Sequence, residues 1–167
     1  MAVLSRLNRN FLADSMRKRA VIADGAMKFA LLTSAYTPTY VQVNEVWTWT
    51  GVSAWADVSA NEVAAGSGYT AGGWAVSAGV EGEEPRCLFD ISNAGLCTLR
   101  ADNPRWYNLT KTFRYGVLYG DYTNNTVVKP LILIVTFDDT PADVVVTANN
   151  WMAPWAAAGF LRMSLDS

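Results

Sequence analysis

Few residues in the chain have the type and spacing to do chemistry. Glu81, Glu83 and Glu84 crowd one acidic turn, and Asp138 with Asp139 another. Paired carboxylates could cleave a glycosidic bond or ligate calcium, but neither group has the spacing of a ligand loop, and a solvated turn is the competing role for both. Cys87 and Cys97 are the two cysteines, too few for a disulfide framework. With no histidine in the 167 residues they are also too few for a thiolate zinc site. Both are expected to be reduced, with a bridge as the alternative. The lack of an imidazole excludes Ser-His-Asp and Cys-His arrangements and any histidine-ligated metal. No catalytic residue, no cofactor and no metal are therefore expected.

The stretch from Asp57 to Val76, "DVSANEVAAGSGYTAGGWAV", asks a different question. Gly66, Gly68, Gly72 and Gly73 permit positive φ or close backbone approach, which would suit either an anion cradle or a set of tight turns. A phosphate loop needs a Lys and a Ser or Thr after its last glycine, and a dinucleotide fingerprint needs a strand before and a helix after. Trp74 follows instead, and then a strand pattern. The stretch is read as a compact structural turn pinned by Tyr69.

Seven tryptophans, at 47, 49, 55, 74, 106, 151 and 155, are many for this length. Each offers a wide rigid face with one polar N–H, which suits a protein interface, a stack against sugar rings, or a core. Alternation in "VNEVWTWTG" places Val46, Thr48 and Thr50 on one side of a strand and Trp47 and Trp49 on the other. Trp47, Trp49 and Trp55 are read as interface anchors.

The elements that must carry these residues follow from periodicity. Leu4, Leu7, Phe11, Leu12 and Met16 recur at helical spacing, and Gly25 stops the pattern. Residues 1–26 are thus expected to form a basic amphipathic helix or an extended arm. Beyond them, "MKFALLTS", "VNEVWTWTG", "WAVSAGV", "RCLFDI", "LCTLRA", "TFRYGVLYG", "PLILIVTF", "ADVVVTA" and "AGFLRMSL" are short strand candidates separated by Asn, Asp, Gly and Pro. "RCLFDISNAGLCTLRA" is the clearest hairpin. This punctuation predicts an all-β fold, an antiparallel β-sandwich or jelly-roll-like body over residues 27–167.

Charge is low and unevenly placed. Only 17% of residues are charged, against a usual ~25%. Residues 1–28 carry six basic against two acidic side chains and the remainder seven against thirteen, so the head is +4 and the body −6. An acidic body would repel phosphates, so no nucleic-acid partner is expected. No apolar run is long enough to span a bilayer, and the polar N-terminal stretch is no secretory signal, so neither a membrane nor export by that route is expected. Arg6, Arg9, Phe11, Arg17, Lys18 and Arg19 are instead read as contacts to a sister subunit or to an acidic protein surface.

The segments "KFALLTSAYTP", "DVSANEV", "GSGYTAGG", "TFRYGVLYGD" and "PLILIVTFD" carry a resemblance as well. In that order and spacing the chain resembles a family of small structural proteins encoded among the head and tail genes of tailed bacteriophages, from about Lys28 to about Met163. "VSANEV" with "GYTAGG" is the most specific part of that likeness. The chain departs from the pattern at "VWTWTGVSAW" and at "NNWMAPWAAAG". The resemblance implies a non-enzymatic virion protein, assembled in the host cytoplasm, that decorates or cements the capsid as a homotrimer on the major capsid protein or another virion protein. A tail-tip or fibre-associated protein that recognises host glycan is the alternative.

Overall fold

The computed structural model describes residues 4–10, 27–43, 46–76, 88–92, 96–100, 103–124, 126–137, 142–153 and 161–164. Over these the chain is an antiparallel all-β sandwich, as the strand punctuation predicts. Its centre is a five-stranded sheet built from β1 (Leu4–Leu7), β2 (Met27–Leu32), β5 (Trp74–Ala75), β9 (Tyr115–Gly120) and β12 (Leu131–Thr136), in the order β1-β12-β9-β2-β5. The three middle strands are buried almost throughout. Both faces of this sheet are covered, which is why "FALL", "YGVLYG" and "LILIV" read as continuous apolar runs and not as alternation.

One face packs against a long two-stranded ribbon, β8 (Arg105–Phe113) with β13 (Val144–Met152). Phe29, Leu31, Leu133, Val135 and Phe137 meet Trp106, Leu109, Phe113 and Val146 in one core. Trp151 closes this core, its ring 4.7 Å from Phe113 and 5.2 Å from Phe137 between centroids. The other face packs Ala30, Leu32, Val117, Tyr119 and Ile134 against Trp49 and Val58. Trp49 comes from the hairpin of β3 (Thr39–Val43) with β4 (Val46–Thr50), and Val58 is the residue that joins the 3-10 turns Trp55–Asp57 and Ser59–Asn61. The chain crosses from β8 in the outer ribbon to β9 at the sheet centre through Arg114 alone. Arg114 donates its N–H to Leu32 O at 2.9 Å and its Nε–H to Asp143 Oδ1 at 2.9 Å.

The hairpin expected from "RCLFDISNAGLCTLRA" is present as β6 (Leu88–Ser92) with β7 (Leu96–Arg100), joined on its other side by β14 (Leu161–Ser164). β10 (Thr123–Asn124), inside the expected "DYTNNT" turn, pairs with β11 (Val127–Val128) just beyond it.

At Leu4–Leu7 the head takes the extended-arm alternative and not the helix. Residues 4–7 are a strand, paired antiparallel with β12 from Leu4 opposite Thr136 to Leu7 opposite Leu133. Helical spacing is overridden because the edge of β12 offers a row of peptide groups that need partners, and the extended form of the arm supplies them. Arg9 and Asn10 then turn helically, with Asn8 Oδ1 accepting the Asn10 N–H at 2.9 Å in the manner of an N-cap. Phe11, Leu12 and Met16 lie outside the described residues, as do Arg17, Lys18 and Arg19.

Candidate functional site

Two constellations stand out among the described residues: the glycine-rich stretch, and the ground around β1.

The glycine-rich stretch hangs from β2 at both ends. Val63 donates its N–H to Leu31 O at 3.0 Å, and Trp74 pairs with Phe29. Between these anchors, Gly66 and Tyr69 exchange both backbone hydrogen bonds around Ser67 at φ +51° and Gly68 at φ +83°, a two-residue turn of the I′ kind. The tip docks on the ribbon, where Thr110 donates its N–H to Ser67 O at 2.9 Å. At the other end Gly73 lies so close to β2 that a Cβ there would stand 2.1 Å from Phe29 O.

Glu62 and Tyr69 tie these turns together. Tyr69 Oη donates to Glu62 Oε1 at 2.7 Å and accepts the Leu31 N–H at 3.1 Å. The same Glu62 oxygen accepts the Gly72 N–H at 2.6 Å, and Tyr119 Oη donates to Gly72 O at 2.7 Å. Burial pushes both tyrosine hydroxyls well above their ordinary titration range. The network is closed on itself: its carboxylate faces donors of its own chain, and its hydroxyls hold backbone in place. Gly66, Gly68, Gly72 and Gly73 all sit at positive φ, and Tyr69 is buried beside Trp106. The arrangement is a clamp that covers the free edge of β2 and fastens it to β8.

Around β1 the geometry is that of an inserted strand. β12 pairs with it on one side, and on the other Asn8 bridges Trp49 of β4 in parallel. Asn8 is fully buried, donating its N–H to Ile132 O at 2.7 Å and its Nδ2–H to Val52 O at 3.1 Å. Leu7 packs against the core on the Leu133 side, and the Arg6 guanidinium lies 4.9 Å from the Tyr40 ring on the opposite side.

Comparison with protein-family models, curated proteins and solved structures finds no match. The site residues expected from sequence therefore stand on geometry alone. Trp49 is a correction: its side chain is fully buried and donates its Nε1–H to Tyr36 Oη at 2.9 Å, so it packs inside the sandwich and is no outward-facing anchor. β4 is the strand that alternation predicts, but Trp49 faces the central sheet from it. Trp55 lies flat on Tyr119, with ring centroids 4.4 Å apart and planes 12° apart, and is partly exposed. Trp47 pairs through its backbone with Gln42. Arg9 is exposed. Glu81, Glu83, Glu84, Cys87, Asp138 and Asp139 lie outside the described residues. Among the described residues no three His, Cys, Asp or Glu side chains group as a metal site, and no helix is long and apolar enough to cross a membrane.

Sequence reasoning missed Glu62, Asn8 and Tyr119. Glu62 carries no periodic signal, and its seven-residue separation from Tyr69 becomes contact only once the intervening turns form. It also missed the outward side of the β8/β13 ribbon, where Tyr107, Val145 and Met152 are 61%, 69% and 46% exposed.

Proposed function

We propose that the chain is a non-enzymatic virion structural protein that decorates or cements the capsid of a tailed bacteriophage through protein–protein contacts, as a homotrimer. The observation that carries this reading is the use to which the most distinctive residues of the resemblance are put. Glu62 of "VSANEV" and Tyr69 and Gly72 of "GYTAGG" hydrogen-bond to one another and to β2, where they hold a loop rather than face a ligand. A motif of this kind builds a rigid body, and a rigid body with exposed apolar side chains on one ribbon is suited to packing on a larger surface. Against the glycan alternative, Trp49 and Trp106 are buried and Trp55 is stacked on Tyr119, so these rings do not stand free as a sugar platform.

The test is to add purified protein to phage heads that lack it and to image the particles by cryo-electron microscopy. Regular density over the head lattice supports decoration. Density confined to the tail tip, with retention on host glycan, would replace this reading with the alternative.

A further inference from the structure

We propose that β1 is an exchanged strand: in the assembled protein, residues 4–8 of one copy insert between β12 and β4 of the next. This deepens the self-association in the reading above and rests on it.

The slot must be filled by something. With β1 withdrawn, the outer edge of β12 loses its partners over Leu133–Thr136, and Ile132 O and Val52 O lose the donors that Asn8 supplies. Buried peptide groups and an open sheet edge are costly and adhesive, so the slot selects for an extended segment. It is also specific. A segment that fits needs an apolar side chain toward Leu133, a cation over Tyr40 and a side-chain amide reaching Val52 O, which Leu7, Arg6 and Asn8 provide in consecutive positions. The best occupant on chemical grounds is therefore this same segment, from the same copy or another.

Chain length leaves the choice of copy open. β1 precedes every other described element and is joined to β2 by residues 8–26. In the sheet the two strands are three steps apart, about 14 Å at ~4.8 Å per step. Residues 9–26 could span about 60 Å when extended. That length exceeds the separation several-fold, so the connection does not by itself restrict β1 to the slot of its own copy. Copies crowded on a shell lie within the same reach, and exchange replaces each interaction within a chain by the identical interaction between chains. Each copy gives one strand and receives one, a head-to-tail contact that closes into a ring when the rotation permits.

Cysteine pairs at the β1/β12 register test this. Chains carrying Ser5→Cys and chains carrying Val135→Cys, residues that face each other, are co-expressed with different tags and mildly oxidised. Leu4→Cys with Thr136→Cys serves as a second pair should the buried valine site not tolerate change. Each variant alone controls for linkage through Cys87 and Cys97. Exchange predicts a covalent dimer bearing both tags, and a covalently linked oligomer when both cysteines are on one chain. If the doubly substituted chain forms only an internal disulfide and the mixture none, exchange is overturned. Light scattering of the unmodified chain then separates the two ideas: an oligomer leaves self-association standing on other contacts, whereas a monomer at all concentrations removes that as well.

Discussion

Tyr69 Oη stands 2.7 Å from Glu62 Oε1 and donates to it, while the same hydroxyl accepts the buried Leu31 N–H. Tyr69→Phe removes one oxygen, takes from the buried Leu31 N–H its acceptor and leaves Glu62 Oε1 with the Gly72 N–H alone, which should cost about 1–3 kcal/mol in urea denaturation. Glu62→Gln keeps an acceptor oxygen in place and should cost less than Tyr69→Phe. A larger loss for Glu62→Gln would mean that charge, not acceptor geometry, holds the clamp.

Two glycines in this clamp should respond differently to a methyl group. At Gly66, φ is +96° and a Cβ would meet nothing within 4 Å, so Gly66→Ala should cost about 1–2 kcal/mol from backbone strain alone. At Gly73, φ is +76° and the Cβ would collide with the backbone of Phe29 and Ala30. Gly73→Ala should therefore lower the melting temperature clearly more than Gly66→Ala does, and equal losses would show that the stretch can lift off β2.

Trp49→Ala should destabilise the chain by about 3–5 kcal/mol, because it empties a fully buried site and strands the Tyr36 hydroxyl. Trp49→Phe keeps much of the volume and should recover a good part of that loss. Normal thermal stability of the alanine variant, combined with a smaller oligomer, would return Trp49 to an interface.

Stability should fall on both sides of neutrality. Backbone N–H groups of Ser53 and Ala54 hold Asp57 below the usual carboxylate range, and Lys28 with Lys129 does the same for Asp121. Their contribution is present above about pH 4 and is lost as pH falls through the lowered folded values. Both carboxylates are largely solvated, so each contribution is small, and that of Asp121 should shrink further in salt. Tyr69 and Tyr119 titrate above the ordinary value of 10.0 in the fold, so the unfolded chain loses those protons first. Their contribution is full below about pH 10 and declines above it. Denaturation midpoints measured across pH should show this alkaline decline flattened in Tyr119→Phe, and an unchanged slope would contradict it.

The strands that sequence reveals most clearly are those whose surroundings are uniform. "LILIV" and "FALL" are apolar throughout because both faces of β12 and β2 are covered there. β8 escapes notice because its alternation breaks. Asn108 takes φ +51°, and the buried positions Trp106 and Leu109 fall three apart rather than two. β13 runs past its expected end for a related reason, with Ala148 at φ +46° and two shifts of register before Trp151. β1 cannot be read locally at all, since nothing within Leu4–Leu7 encodes the edge of β12 that draws it into the sheet. The clamp is legible in its glycines and in Tyr69. Glu62 is not, because its role depends on where the chain returns ten residues later at Gly72.

The single-residue passage at Arg114 has a consequence for how the molecule opens. β8 and β9 belong to different layers, yet Arg114 lies between them with its backbone bonded to Leu32 and its side chain to Asp143. Such a joint has no slack in which the outer ribbon could peel away while the central sheet stays intact. The ribbon and the sheet should thus behave as one cooperative unit in native-state hydrogen exchange, with the paired amides of β8 and β9 sharing a single opening free energy close to that of global unfolding.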